Sequence, residues 1–389
     1  CIDEPAVSKP GYQLLRIPEM PESRAARVRA PTYLGLFAVT LATLTYEILL
    51  TRIFSVSMWY HFAFMAISIA MFGMSFGAII VYFFPAAFER ERAAAGLAWS
   101  SLAFALTIPV SFTFHLWLPF WFGPSSSVTL ALSFLVISVP FVFSGICVCI
   151  ALTRFPEDVS RLYAADLLGA ALGCIALIYL LDLVDGPSAV LVVAAAAAAG
   201  AWSFARSGAA GRIGILAAGA AILLGVAGVG HALLARNQAP LLRLFWVKGK
   251  LEQRPLYETW NAFSRVSVHG NPAVPTWPSG WGLSSSYRAE HPIQQLQLLI
   301  DATAGTVLTG FDGSQLDHLD HLRYDVTNLA HYLRDQARVL VIGVGGGRDV
   351  LSALLFGQER VVAVDLNQDI LEIVNEQFGD YTGHLDRHP

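Results

Sequence analysis

The chain has 389 residues, of which 55% are hydrophobic and 14% are charged, and its formal net charge is -4. Soluble domains carry roughly 25% charged residues, so this composition is far from that of an ordinary soluble protein. Neither the net charge nor its distribution provides a basic surface for nucleic acid, and we expect no nucleic-acid partner.

After an N-terminal tail at 1–31, the hydrophobic residues concentrate in a region that predicts an α-helical polytopic membrane domain at 32–236. This region contains seven apolar stretches close to the ~20 residues that a helix needs to cross a bilayer. The alanine-rich stretch Ala194–Ala199 is the weakest, and it fits a less deeply inserted helix as well. The stretches fall near 32–54, 61–84, 94–118, 128–152, 164–184, 188–205 and 213–235.

Arginines alternate between the loops and give two conflicting indications of orientation. Every second loop carries arginine, which predicts that these loops are cytoplasmic. An odd number of helices then puts the C-terminal part outside. A cofactor made in the cytoplasm requires the opposite, as do the basic residues after the last helix, and we expect an inner-membrane protein whose soluble part is cytoplasmic. The arginines of the alternating loops are Arg90, Arg92, Arg154, Arg161, Arg206 and Arg212.

Polar residues inside the apolar stretches are candidates for function, because ionisable groups in a bilayer are costly and usually paired. Tyr46, Glu47 and Arg52 lie in the first stretch and Asp166 in the fifth. Glu47 and Arg52 are five residues apart, so they point to different faces and each needs its own partner. These residues predict either a transport or substrate pocket, or interhelical anchors and interface residues. Gly169 to Gly173 forms a small-xxx-small face that predicts close helix packing.

Residues 237–336 predict a small β-rich domain with a linking helix. The segment Phe263–His269 alternates as a strand, and 295–301 with 306–311 reads as a hairpin. His318 and His321 stand with two aspartates where a helix leading to Tyr332 begins. A metal site is one interpretation of these residues; helix-capping aspartates with solvated histidines are the other.

The last region, 337–389, contains a glycine-rich turn between a predicted strand and a predicted helix. Val339–Ile342 predicts a buried strand and Asp349–Phe356 a helix, while Val361–Val364 predicts a second strand that ends in Asp365. Glycine lets a ligand approach backbone amides at a helix start, and a carboxylate at the next strand end can accept ribose hydroxyls. A glycine-rich turn without ligand remains the alternative. The predicted cofactor-binding residues are Gly343, Val344, Gly345, Gly346, Gly347 and Asp365.

The glycine spacing distinguishes between cofactors. The dinucleotide pattern places glycine or alanine three residues after the second glycine, and Arg348 stands there instead. Gly343-x-Gly345-x-Gly347 is typical of S-adenosylmethionine-type folds. We therefore predict a cofactor of the S-adenosylmethionine type, with no metal.

The chain resembles the membrane-bound branch of the spermidine synthase-like (polyamine aminopropyltransferase) family over nearly its whole length. In the membrane half the resemblance rests on 45–52 and 163–173; in the soluble half it rests on 258–268, 299–301, the glycine loop and 364–367. It implies a small β domain followed by an α/β methyltransferase-like (Rossmann-like) domain, partial in this chain, that binds S-adenosylmethionine or its decarboxylated form. Soluble members of the family move an aminopropyl group onto an amine.

Three positions differ from the family pattern. Gly346 aligns with an aspartate of the family loop, Gly305 with a glutamine that helps hold the polyamine, and Tyr324-Asp325-Val326 with Tyr-His-Glu. The family's catalytic aspartate follows a third strand, so no catalytic residue is named. We expect the natural protein to continue beyond Pro389 and this chain to be inactive as it stands.

The sequence thus predicts a membrane-anchored transferase. Its expected partners are the bilayer and a small-molecule acceptor such as an amine, and a homo-oligomer is compatible with the pattern. The alternative is a transporter or sensor with a regulatory nucleotide-binding domain, for which Glu47, Arg52 and Asp166 would form a pocket.

Overall fold

The structure is a computed structural model, and it describes residues 28–119, 126–208 and 211–388. Of the predicted N-terminal tail, residues 1–27 lie outside the described part of the chain.

Within the described residues, seven helices are long and apolar enough to cross a membrane, and each coincides with one predicted stretch. They confirm the predicted helical region and indicate a membrane-embedded protein. A single helical turn at Tyr60–Ala63 precedes the second helix. The helices are α1 Ala30–Ser57, α2 Met65–Phe83, α3 Ala93–Trp117, α4 Ser126–Arg154, α5 Val159–Leu183, α6 Gly186–Ser207 and α7 Arg212–Arg236.

The alanine-rich helix α6 packs against α1, α3 and α7. Ala194, Ala197, Ala198 and Ala201 are fully buried at these contacts. Small side chains let helix backbones approach closely, and this close approach replaces the hydrophobic driving force that lipid does not supply. The stretch that the sequence identifies least securely is therefore one of the best-packed helices of the bundle.

Helix α5 approaches α1 through the predicted small-residue face. A Cβ atom on Gly173 would lie 2.5 Å from the carbonyl oxygen of Leu41, and one on Gly169 would clash with the backbone of Phe37. Thr45 Oγ1 donates to the carbonyl of Gly173 across the contact, at 3.1 Å. The predicted close packing of this helix is confirmed, and its neighbour is α1.

Beyond the bundle, strands form small sheets. The order β3-β4-β5-β6 makes a four-stranded antiparallel sheet. The predicted strand and hairpin are confirmed, with Leu299 opposite Gly305 across the hairpin. The strands are β1 Trp246–Val247, β2 Lys250–Leu251, β3 Tyr257–Trp260, β4 Arg265–His269, β5 Gln295–Ile300 and β6 Ala304–Thr309.

The predicted linking helix is shorter than expected. Residues Asp317–Tyr324 form 3-10 turns, and only α8, Leu329–Leu333, is α-helical. Between them, the Asp325 carboxylate accepts hydrogen bonds from the backbone N–H and the hydroxyl of Thr327, at 2.9 and 2.7 Å. This local turn competes with helix hydrogen bonding and interrupts it.

The last region folds as strand β7 Arg338–Ile342, helix α9 Arg348–Leu355 and strand β8 Arg360–Val364. The two strands pair in parallel with Arg338 opposite Arg360. Helix α10, Gln368–Glu372, continues as a π-helical turn at Ile373–Gln377. Ile370, Ile373 and Val374 share one core with the four-stranded sheet, so this region is packed against it.

One face of the β7–β8 pair is apolar and exposed. Leu340 and Ile342 are 61% and 79% exposed, and their partners Val362 and Val364 are also exposed. Parallel strands are normally covered on both faces. The described part of the chain covers only the other face.

Candidate functional site

The glycine loop lies between the end of β7 and the start of α9. Gly343, Gly345 and Gly347 have φ values of +85°, +52° and +80°, which side-chain-bearing residues rarely adopt. Gly347 N–H donates to the carbonyl of Val344 at 2.9 Å, which closes a tight turn. The spacing of alternate glycines is therefore required by the backbone of this turn.

Asp365, at the carboxyl end of β8, faces the loop. Its Oδ2 accepts a hydrogen bond from the backbone N–H of Gly345 at 3.2 Å, and its Oδ1 accepts one from the N–H of Asn367 at 2.8 Å. The parallel register brings the ends of the two strands together, because Ile342 pairs with Val364. The structure thus brings the predicted carboxylate and the predicted loop into contact.

The glycines differ in what lies beside them. The missing side chain of Gly343 faces open space, whereas a Cβ on Gly346 would clash with the backbone of Val307. A Cβ on Gly345 would lie 3.3 Å from Thr306, and one on Gly347 would lie 2.6 Å from Leu385. Val344 is buried at 7% exposure. Of the predicted residues, Gly343 lies at an open edge, Gly345 lies between Thr306 and Asp365, and Val344, Gly346 and Gly347 are packed against the protein.

Arg348 follows the loop and forms a buried ion pair that the sequence did not predict. Its Nη1 donates to Asp325 Oδ2 at 2.9 Å, and its Nη2 donates to Thr327 Oγ1 at 2.9 Å. Only 12% of the Arg348 side chain and 2% of that of Asp325 is exposed. Arginine at this position, the signal that weighed against a dinucleotide, fixes the loop to the linking segment.

The segment Gly280-Trp281-Gly282 lies on this ion pair. A Cβ on Gly280 would lie 3.0 Å from Arg348 Nη1, and one on Gly282 would clash with the Asp325 carboxylate. Trp281 Nε1 donates to the carbonyl of Gly305 at 2.8 Å. The indole of Trp281 is therefore fixed by the contacts of the glycines on either side of it in the chain and by the hydrogen bond of its own nitrogen.

A cavity of about 350 Å³ lies between this segment and the β5–β6 hairpin. Thr306 and Val307 form part of its wall and also contact the glycine loop, so the cavity and the loop are adjacent. Its lining residues are Ser279, Gly280, Trp281, Gln297, Leu299, Gly305, Thr306, Val307 and Arg348.

The intramembrane charges do not assemble into one pocket. Arg52 Nη2 lies 3.3 Å from both carboxylate oxygens of Asp301, in the turn of the β5–β6 hairpin. The Asp166 carbonyl accepts a hydrogen bond from Thr40 Oγ1 at 3.0 Å. Thr40 precedes Glu47 by seven residues, or roughly 10 Å along a helix. Arg52 acts as an anchor between α1 and the soluble part, which agrees with the second of the two interpretations.

Asp301 has further partners at this junction. Its Oδ1 accepts from the backbone N–H of Arg265 at 2.9 Å, and its carbonyl accepts from Lys248 Nζ at 2.5 Å. The backbone N–H of Lys248 donates to the carbonyl of Ser57 at 2.8 Å, at the end of α1. Burial lowers the pKa of Lys248 and the nearby Asp301 charge opposes that shift. The hairpin turn is therefore fastened to the first membrane helix.

A buried group of Asp185, Ser188 and His231 has the residue types of a hydrolase triad but a different hydrogen-bond order. His231 Nε2 accepts from the backbone N–H of Leu242 at 2.9 Å, so a neutral ring carries its proton on Nδ1, 2.7 Å from Ser188 Oγ. The Ser188 hydroxyl then donates to Asp185. The ring cannot take the serine proton in this arrangement. The group caps α6 and fixes the segment after α7.

The two candidate metal-binding histidines have different surroundings. His318 Nε2 lies 2.8 Å from the carbonyl of Gly310. His321 is buried at 2% exposure, so the expectation that it is solvated is wrong. Burial lowers its pKa to about 4. Among the described residues, no group of three histidine, cysteine or acidic side chains could hold a metal ion.

In comparisons with protein-family models, with curated protein sequences and with solved structures, no match to the chain was found.

Proposed function

We propose that the protein is a membrane-anchored, spermidine synthase-like transferase that binds S-adenosylmethionine or its decarboxylated form through the glycine loop and Asp365. The observation that carries the proposal is the contact between Asp365 Oδ2 and the Gly345 amide at the open ends of two parallel strands. Ligands of α/β sheets bind outside the carboxyl ends of the strands, where this contact lies.

The Asp365 carboxylate keeps hydrogen-bonding capacity for a ribose. A carboxylate has about four lone-pair sites, and two of those on Asp365 accept backbone N–H groups. The remaining sites can accept the two ribose hydroxyls of an adenosine. The side of Gly343 that lacks a Cβ is open, so a ligand can approach the backbone there.

The proposal includes a Rossmann-like fold for the region from β7 onward. The support is the unit β7–α9–β8, in which two neighbouring parallel strands are joined through a helix. Arg348, at the position of the third dinucleotide glycine, favours the sulfonium cofactor over NAD.

When bound, the cofactor supplies an electrophilic carbon next to its sulfonium sulfur. The chain's own contribution is to orient the adenosine through Asp365 and to hold an acceptor close by, which gives a rate advantage through positioning. Deprotonation of the acceptor falls to a base that the resemblance does not assign to any residue of this chain.

The proposal places the soluble part on the cytoplasmic side, where this cofactor is made. Ser57 and Gly186, at the ends of α1 and α6, contact the soluble part. At the opposite side of the bundle, Arg90 lies just before α3, and Arg154 and Arg206 lie near the ends of α4 and α6. Arg90 also pairs there with Glu157 at 2.9 Å. Arginine in short loops favours the cytoplasm, so this distribution opposes the proposed orientation.

A C-terminal reporter fusion tests the orientation in cells. Green fluorescent protein is expected to be fluorescent at the C-terminus, and alkaline phosphatase is expected to be inactive there. Active alkaline phosphatase would mean that the soluble part lies outside the cytoplasm, away from the cofactor, and would overturn the proposed function.

A membrane sensor is a second candidate, and one observation favours it over a transporter. The buried contact between Arg52 and Asp301 links a membrane helix directly to the hairpin beside the cavity. A change in α1 would therefore reach the soluble part. The sensor predicts ligand binding with no transfer of any group.

Isothermal titration of the detergent-solubilised protein tests the cofactor. We expect binding of S-adenosylmethionine or its decarboxylated form, none of NAD, and a loss of at least tenfold in affinity in Asp365→Ala. Asp335→Ala is the matched control, because Asp335 is an exposed aspartate just before β7. Tight NAD binding, or an Asp365→Ala variant that binds as well as the control, would overturn the proposal.

A further inference from the structure

We infer that the cavity beside the glycine loop takes a planar, aromatic acceptor without positive charge, and not a polyamine. The inference rests on the proposed transferase function for the role of the ligand as acceptor. Its chemical class follows from the walls of the cavity.

The first argument is charge. The only ionisable side chain among the lining residues is Arg348, and the remaining polar side chains, Ser279, Gln297 and Thr306, are uncharged. The carboxylate bonded to Arg348, that of Asp325, does not line the cavity; it is buried and its oxygens already accept from Arg348 and Thr327. A polyamine entering the cavity would lose its hydration without gaining a counter-charge, which is strongly unfavourable.

The second argument is shape. Trp281 is 82% exposed, yet its indole is fixed by the bond from Nε1 to the Gly305 carbonyl and by the two glycines that lie on the Arg348–Asp325 pair. A large aromatic side chain held in an exposed position provides a flat surface for stacking at little cost in conformational entropy. Leu299 and Val307 add an apolar wall.

The third argument is polarity at the edges. Gln297 carries both a donor and an acceptor, and Thr306 carries a hydroxyl, so a neutral or anionic substituent on the ring can be hydrogen-bonded. The Arg348 guanidinium has N–H groups beyond those that bond Asp325 and Thr327, so it can donate to a neutral or negative group of the ligand and offers nothing to a positive one. The walls of the cavity therefore favour neutral and anionic ligands over cations.

A series of benzene derivatives of equal ring size tests the charge preference. The probes are benzoate, benzyl alcohol, benzylamine and, as the polyamine, spermidine, titrated into the detergent-solubilised protein and followed by saturation-transfer NMR. We expect benzoate and benzyl alcohol to bind at least tenfold more tightly than benzylamine, and spermidine not to compete with them.

Variants test the location. Trp281→Ala is expected to weaken benzoate binding by about tenfold through the loss of stacking. Trp277→Ala is the matched control, since Trp277 is exposed and does not line this cavity. Gln297→Glu places a carboxylate in the wall and should reverse the order of benzoate and benzylamine.

The outcomes separate this inference from the proposed function. Preferential binding of benzylamine or spermidine, or equal losses in the two tryptophan variants, would overturn the inference while leaving cofactor titration unaffected. If the expected benzoate preference occurs without binding of either sulfonium compound, the proposed function fails and the ligand class of the cavity stands.

Discussion

Buried polar groups in the helical bundle and in the sheet region are satisfied in different ways. In the bundle, hydroxyl groups donate to carbonyls one turn earlier in the same helix, as Thr43 does to Val39 and Ser57 to Ile53. In the sheet region, the fully buried Arg265 forms ion pairs with Glu252 and Glu258, at 2.7 and 2.8 Å. Because such hydroxyl groups are satisfied within their own helix, we expect the stability of the bundle to depend on how closely the helices pack. The stability of the sheet region depends instead on the pairing of its buried charges.

The Arg265 cluster illustrates how much the sheet region relies on pairing. Burial alone would raise the pKa of Glu258, but the charge and hydrogen bonds of Arg265 hold it below its usual range. Burial alone would lower the pKa of Arg265, but the charges and hydrogen bonds of Glu258 and Glu252 raise it. Removing the arginine would leave two buried carboxylates without a cation.

The largest effect is expected from Arg265→Met. Breaking a buried ion pair from one side costs about 3 to 5 kcal/mol. Hydrogen exchange measured by mass spectrometry should show faster exchange in β3, β4 and β5, with the amides of α1 and α5 unchanged. Arg288→Met is the control, because Arg288 bonds only to backbone carbonyls at the surface. Equal protection in the two variants would show that charge pairing does not hold the sheet.

An intermediate effect is expected from Gly173→Ala in α5. The added methyl group would overlap the Leu41 carbonyl of α1, and overpacking of this kind costs about 1 to 3 kcal/mol. Exchange should accelerate in α1 and α5 and not in the sheet, the reverse of the pattern for Arg265→Met.

Gly219→Ala in α7 is the matched control, since nothing lies within 4 Å of its missing side chain. It should be neutral or slightly stabilising, because alanine has the higher helix propensity. If both alanine variants behave alike, close approach is not what stabilises the α1–α5 contact.

The smallest effect is expected at His321, where a polar ring is buried without a charged partner bound to it. Neither ring nitrogen makes a hydrogen bond of normal geometry within the described part of the chain. Burial lowers the pKa of His321 to about 4, from 6.5; the backbone of His318 opposes this shift, the charges of His318 and Arg348 add to it, and that of Asp320 opposes it. Between these pH values the unfolded chain binds a proton that the folded chain does not.

The stability that the sheet region gains from keeping His321 neutral should therefore be fully present well above pH 6.5, and it should be lost progressively as the pH falls below that value. From pH 6.5 to 5.5 the loss is about 1 kcal/mol. His321→Leu should remove this dependence, as followed by hydrogen exchange of α9 and the segment before α8. A variant that retains the same pH dependence would assign it to another group.

The sequence predicts the bundle well because hydrophobic length alone decides which segments cross a membrane. Each of the seven stretches recurs as a helix, and the Gly169–Gly173 face lies at the predicted kind of contact. The glycine loop is also predictable, since alternate glycines with positive φ and a following carboxylate are local features.

Partners that are distant in the sequence could not be predicted. Arg52 and Asp301 are 249 residues apart, and no periodicity relates them. Arg348 could be recognised only as a departure from the dinucleotide pattern, because its contact with Asp325 depends on how two segments fold against each other. The role of Trp281 likewise depends on two glycines whose contacts exist only in the folded chain.

The bond between Asp301 and Arg52 also sets the height of the cavity above the membrane helix. Leu299 and Gln297 precede Asp301 by two and four residues on β5, which corresponds to about 7 and 14 Å along a strand. The ligand that we infer for this cavity would therefore bind within a short distance of the end of α1, beside the residue that joins the two halves of the molecule.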